Sequence, residues 1–172
     1  MRGHLIHRYL IALGSNQRHV RHGAPEDVLR ASLAALEDYG EDDGVRVLAV
    51  SPMIRSAPVG PSLRRYANAA ALVESEWAPE ELLRVLKRIE HAFGRRSRGQ
   101  RWRARVLDLD IVLWSGGIHA SRNLAIPHRL FRTRDFVLGP AATIAPDWRD
   151  PVTGLCLRHL KPRLTTSRPL PR

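Results

Sequence analysis

The stretch "YANAAALVESE", Tyr66 to Glu76, decides the architecture. Its alanines suit a helix, whereas the spacing of Tyr66, Asn68 and the later apolar residues suits a strand. As a strand it gives the order β-α-β-β-α-β; as a helix it breaks that order. The strand reading is adopted. Downstream, "PEELLRVLKRIEHAFG" opens on Pro79 and two glutamates and places Leu82, Leu86, Ile89 and Phe93 on one face. Gly94 then stops it, so a helix is predicted. Upstream, "APVGPSLRR" (Ala57 to Arg65) is a loop broken by two prolines and a glycine, and "VRVLAVS" (Val45 to Ser51) is a strand.

Further out the same grammar repeats. Pro25, Glu26 and Asp27 begin a helix that carries Leu29, Leu33 and Leu36 and ends before Gly40, and "RYLIALGSN" (Arg8 to Asn16) reads as a buried first strand running into a turn. After the second helix come an arginine-rich loop, a strand from Val106 to Trp114 and a turn at Ser115 to Gly117. The rest is a less regular tail with a short helix from about Asp135. The expected fold is α+β, a ferredoxin-like βαββαβ core whose antiparallel sheet carries two helices on one face, with a C-terminal extension. One domain over residues 1–172 is expected, the part from about 149 to 172 being a tail.

The 172 residues carry a formal charge of +11, and only Lys87 and Lys161 are lysines. Arginine in place of lysine changes no chemistry by itself, so distribution matters. Between Arg84 and Arg105 stand eight arginines and one lysine against the single acid Glu90, while residues 24–44 are acidic overall. Positive charge is thus focused, which favours a local anion site over a general polyanion coating. The hydrophobic runs are too short to cross a bilayer, and the lone Cys156 forms no intramolecular disulfide. A reducing cytoplasm is the expected compartment.

Within "RWRARVLDLDIVLW" (Arg101 to Trp114), strand alternation turns Asp108 and Asp110 to one face and Leu107, Leu109, Ile111 and Leu113 to the other. The carboxylates lie about 7 Å apart at their Cβ atoms, two strand rises. Three compensations are open: arginine pairing or solvent exposure, which accounts for most arbitrary D-x-D pairs, a hard divalent metal, or acid–base chemistry by a split pair. The neighbouring Arg95, Arg96, Arg98, Arg101, Arg103 and Arg105 favour metal, since a triphosphate takes both metal bridging and guanidinium contacts. Trp102 within that loop offers a flat surface for a base, a pterin-like ring or the core. A nucleic-acid-binding module is the competing class, because this fold plan with a basic face also suits RNA. The aspartates and the lack of an aromatic-rich ribonucleoprotein-type motif argue against it.

With "ALGSN" (Ala12 to Asn16), "IRSAPVGP" (Ile54 to Pro61) leading to "YANA", "RIEHAFGR" (Arg88 to Arg95), "RWRARVLDLDIVLW" and "IPHRLFRTRDFVLGPAATIAP" (Ile126 to Pro146), the chain resembles the 6-hydroxymethyl-7,8-dihydropterin pyrophosphokinases of folate biosynthesis over about residues 9–148. The resemblance implies transfer of pyrophosphate from ATP to the hydroxymethyl oxygen of the pterin, releasing AMP. It implies two Mg²⁺ ions held by Asp108 and Asp110, and catalytic arginines Arg95 and Arg105. ATP contacts would come from Arg95, Arg98, Arg101, Arg105, Ile111, His128 and Arg134. Pterin contacts would come from Ser56, Ala57, Val59, Tyr66, Asn68, Trp102 and Phe136. Glu90 falls at a motif position as substrate-site support, or as an exposed helix acid.

The expected partners are ATP and the pterin, with neither nucleic acid nor membrane, and the expected state is a monomer. The loop from Arg95 to Arg105 would close over ATP. Departures from the family pattern are Ser97 in place of a second basic residue, and a short loop between Gly60 and Tyr66 without its common glutamine. Asn123 and Ala125 replace polar or basic residues, and Arg129 follows the histidine where a smaller or aromatic residue is common. They bear on nucleotide affinity more than on the reaction.

Overall fold

The computed structural model describes residues 5–39, 44–57, 65–94 and 106–165. In chain order the elements are β1 (His7–Ser15), α1 (Pro25–Asp38), β2 (Val45–Val50), β3 (Ile54–Ser56), β4 (Tyr66–Ser75), α2 (Pro79–Ala92), β5 (Asp108–Trp114), β6 (His119–Ala120), β7 (Ala125–Ile126), a 3₁₀ turn (Phe131–Thr133), α3 (Asp135–Ile144) and α4 (Leu157–Thr165). The deciding stretch is a strand. It lies inside the sheet, between β1 and β2, with Ala67, Ala69, Ala71 and Val73 buried on one face and Ala70 on the other. Small side chains let both faces be covered closely, so packing overrides the helical preference of alanine.

The sheet runs β2-β4-β1-β5, antiparallel throughout, with β3 alongside β4. This is the order expected of two interleaved β-α-β units. Both helices start with the same device: proline in the first turn, and an acid three residues past the cap. Asp27 accepts the Ala24 N–H at 3.3 Å and Glu81 accepts the Ala78 N–H at 2.9 Å. α2 ends where Gly94 takes φ 90°, a left-handed turn that costs glycine little.

One apolar cluster joins Tyr9, Ile11 and Leu13 of β1 and Leu109 and Ile111 of β5 to Val28, Leu29 and Leu36 of α1 and Leu82, Leu86 and Ile89 of α2. The expected two helices on one face are therefore present. The opposite face is not left open. The C-terminal extension covers part of it: Leu10, Ala70, Val112 and Leu113 pack with Phe131, Leu138, Ala141, Leu157 and Leu160.

Asp150, with no exposed side-chain surface, fastens that layer. Arg132 donates to it twice, at 2.7 and 2.6 Å, and Thr153 donates at 2.6 Å. Burial works to raise its carboxyl, but these hydrogen bonds and one from the Val152 amide outweigh it and hold the group below the usual carboxylate range.

Leu113 departs from expectation. β1 pairs Leu10 with Leu113 but Ile11 with Ile111, so Val112 is the extra residue of a bulge. The bulge inverts the phase of the strand, and Leu113 joins the second cluster instead of facing α2 with Leu107, Leu109 and Ile111. The strand also begins at Asp108, two residues later than read, although Leu107 is already buried.

Candidate active site

Directly paired residues of an antiparallel sheet project to the same side, so register shows what stands beside the two aspartates. Gly14 of β1 pairs with both Asn68 and Asp108; Ala12 pairs with both Ala70 and Asp110. Asn68 and Asp108 thus share a row separated only by a glycine, roughly 10 Å apart at two strand spacings. A Cβ on Gly14 would come within 3.5 Å of Asn68 Oδ1, filling the space between them. The face carrying the carboxylates is floored with the smallest residues available, which makes it a place where something can lie.

β5 is the edge strand, and beyond it opens a cavity of about 600 Å³. Asp110, Ile111 and His128 line it, as do Leu83 and Lys87 of α2 and the run Ser121 to Ala125. His128 donates its backbone N–H to Val112 O at 2.9 Å, which holds the segment after β7 against β5. Its Nδ1 accepts the Leu130 N–H at 3.2 Å, leaving Nε2 as the N–H donor of the neutral ring. Burial, chiefly, lowers the His128 pKa; with smaller help from Arg134 and Lys87 it outweighs the opposite pull of Asp110 and Asp108. The cavity therefore presents a neutral donor near neutral pH. Asn123, Ala125 and Arg129, singled out as departures, all lie on its wall.

Sequence reading missed two features here. Lys87 reaches Glu90 Oε1 at 2.8 Å and the Leu109 carbonyl at 3.1 Å, and stands 3.9 Å from Asp110 Oδ1. Glu90 is wholly buried and also accepts the Leu109 N–H at 2.8 Å, so it is not the exposed helix acid that was one of its two readings. The signal available was the i, i+3 spacing of Lys87 and Glu90, and lysine's rarity in a chain that otherwise uses arginine. The second feature is the β6–β7 hairpin, whose residues Ser121 to Ala125 wall the cavity and whose His119 pairs with Glu80 at the start of α2. Strands of two residues leave no periodicity to read.

On the other side of Gly14, Asn68 Nδ2 donates to Ser56 Oγ at 2.7 Å, and Ser56 pairs with Tyr66 across β3 and β4. Ala57 follows, exposed. α3 packs on β3 and β4 and brings Phe136, half-buried against the second cluster, with the Arg134 guanidinium 5.7 Å from its ring centre. Tyr66 also borders a separate cavity of about 250 Å³ with Arg18, Glu26, Arg55 and Arg65. Val59, Arg95, Arg96, Arg98, Arg101, Trp102, Arg103 and Arg105 lie outside the described residues.

Asp108 and Asp110 are half-buried and project to one face, with Asp110 on the cavity. Among the described residues no three or more His, Cys, Asp or Glu converge as a metal cage. Asp110 on the cavity wall, with Asp108 on the same face of the strand, nonetheless fits Mg²⁺, which takes one or two carboxylates together with phosphate oxygens and water.

The family model described as 7,8-dihydro-6-hydroxymethylpterin-pyrophosphokinase matches residues 10–146. The 2-amino-4-hydroxy-6-hydroxymethyldihydropteridine pyrophosphokinase of Pseudomonas aeruginosa is 39% identical over 148 residues, 86% of each chain. The enzyme of that name from Haemophilus influenzae is 38% identical over 80% of this chain and 81% of its own. A crystal structure of Plasmodium falciparum HPPK-DHPS with pteroate superposes with a TM-score of 0.68 at 12% identity over 95% of this chain. That likeness concerns the fold alone, and this chain spans 41% of that longer one. Matched by the family model over most of its length and by relatives close to 40% identical, the chain belongs to the 7,8-dihydro-6-hydroxymethylpterin-pyrophosphokinase family.

Proposed function

We propose that this chain, folded as one domain and working as a cytoplasmic monomer without nucleic acid, performs its family's reaction with Mg²⁺ at Asp108 and Asp110. The reaction is pyrophosphate transfer from ATP to 6-hydroxymethyl-7,8-dihydropterin in folate synthesis. The pterin hydroxyl oxygen bonds to the β phosphorus, the bond between that phosphorus and the bridging α–β oxygen breaks, AMP departs and the hydroxyl proton is lost. The observation carrying the residue assignment is the row Asn68–Gly14–Asp108, which sets an amide suited to a pterin edge beside a carboxylate next to the cavity.

Bound Mg²⁺ would neutralise the triphosphate and polarise it toward attack. The chain's own residues do the rest. Ser56 orients the Asn68 amide, Ala57, Val59, Tyr66, Trp102 and Phe136 enclose the pterin ring, and Ile111 and His128 hold the nucleotide in the cavity. Arg95, Arg98, Arg101, Arg105 and Arg134 balance the phosphates. Purified protein supplied with ATP, Mg²⁺ and the pterin should form AMP and the pterin diphosphate in equal amounts, and EDTA should stop it. ADP as the product, or no nucleotide product from folded protein, would overturn the assignment.

A further inference from the structure

Lys87 sits between two carboxylates of different standing. Glu90 has no exposed side-chain surface and takes the Lys87 ammonium at 2.8 Å, while Asp110, 36% exposed, lies 3.9 Å from the same ammonium on the cavity wall. The Leu109 carbonyl accepts from it at 3.1 Å. A buried carboxylate demands a counter-charge, and Lys87 supplies one from three residues earlier on the same helix. Its ammonium therefore cannot withdraw from the cavity without abandoning Glu90. A positive charge is in effect fixed about 4 Å from a carboxylate that, in the function proposed above, binds a divalent cation.

Such a charge acts in two ways. It satisfies Asp110 when no metal is there, and it repels a cation that arrives alone. A triphosphate brings negative charge that offsets the repulsion, so a cation arriving with nucleotide meets a different field. We propose that Lys87 is a resident counter-cation that weakens binding of free divalent metal at Asp110 and makes metal enter together with the nucleotide. It is a positioning residue and touches no reacting atom. The inference rests on the proposed role of Asp110 as metal ligand, and the test separates the two.

Mn²⁺ binding to the full chain without nucleotide, followed by electron paramagnetic resonance of free Mn²⁺, reads the effect directly. Lys87→Met, which keeps the reach and loses the charge, should bind Mn²⁺ about tenfold more tightly than the unaltered chain. Lys87→Arg should bind as the unaltered chain does. With a saturating non-hydrolysable ATP analogue the difference between Lys87→Met and the unaltered chain should shrink to about twofold. Because Lys87→Met takes from buried Glu90 the ammonium it pairs with, the double variant Lys87→Met with Glu90→Gln removes both charges and keeps an acceptor for the Leu109 N–H; it should show the same tightening. Equal or weaker Mn²⁺ binding in the folded double variant overturns the proposal while leaving Asp110 as a ligand. Mn²⁺ binding that survives Asp110→Asn removes the ligand assignment itself, and the proposal with it.

Discussion

Toward α1 and α2, the sheet presents Tyr9, Ile11, Leu13, Val73, Leu109 and Ile111, all nearly excluded from solvent in one continuous cluster. Across the same strands, apolar cover takes in Leu10, Ala70, Val112 and Leu113, with Ala12 partly buried against it; beyond come Gly14, Asn68, Asp108 and Asp110. The strands are shared, so the difference lies wholly in which parity of residue is large. One face is filled to exclude everything, and the other is emptied on one side to admit something. β5 carries both assignments on alternate residues, and the bulge at Val112 ends the alternation where the polar stretch gives way to the second core.

The largest effect should come from cutting one parity only. Asp110→Ala should lower AMP formation by about a thousandfold in a steady-state assay while leaving the circular dichroism spectrum and melting curve near those of the unaltered chain. Leu109→Ala, one residue away, should do the reverse. It should cost about 3 kcal/mol in urea unfolding and retain turnover per folded molecule. If both changes harm both properties, the division between the faces fails.

Asp150→Asn probes the cover on the second face and should cost about 2 kcal/mol at neutral pH. Its folded carboxyl titrates below the ordinary value of 3.8, so the stabilisation is complete above the unfolded value and lost as pH falls through the lower folded one. The urea midpoint of the unaltered chain should therefore converge on that of the variant as pH drops below about 3.8; parallel curves down to the acid limit would count against the Arg132 pairing.

Smaller effects should sharpen the contrast at the floor and the wall. Gly14→Ala meets only an ordinary contact with Asn68, so the fold should hold. Its methyl stands between Asn68 and Asp108, and KM for the pterin should rise about tenfold with kcat little changed, an energy of roughly 1.4 kcal/mol. Glu80→Gln weakens the tie from α2 to His119 and should raise KM for ATP about twofold to threefold, with KM for the pterin unchanged.

Much of this was legible before any coordinates. The helices announced themselves through prolines, paired acids and leucine spacing, and Asp108 and Asp110 stood out because strand alternation assigns faces without knowing the fold. The deciding stretch was harder, since alanine carries little directional information and only its neighbours in the sheet show that it is central. Leu113 was misassigned for a definite reason. A bulge depends on the partner strand's register, which no single strand's sequence contains. Glu90 and Lys87 belong to the same class of problem. A charged pair at helical spacing is normally a solvated one, and the burial of Glu90 here follows from β5 lying over it.

The clasp of Arg132 and Asp150 has a consequence for where this protein can be said to end. The family match stops at residue 146, yet Asp150, Cys156, Leu157 and Leu160 are buried, three of them in or against the layer that covers Phe131 and Leu138. Residues just past the end of the family model thus brace the turn that leads into Arg134 and Phe136. A chain trimmed to residues 10–146 would keep the motifs that resemble the family and lose the brace beneath Arg134 and Phe136. In this molecule the span of the family model and the extent of the fold do not coincide.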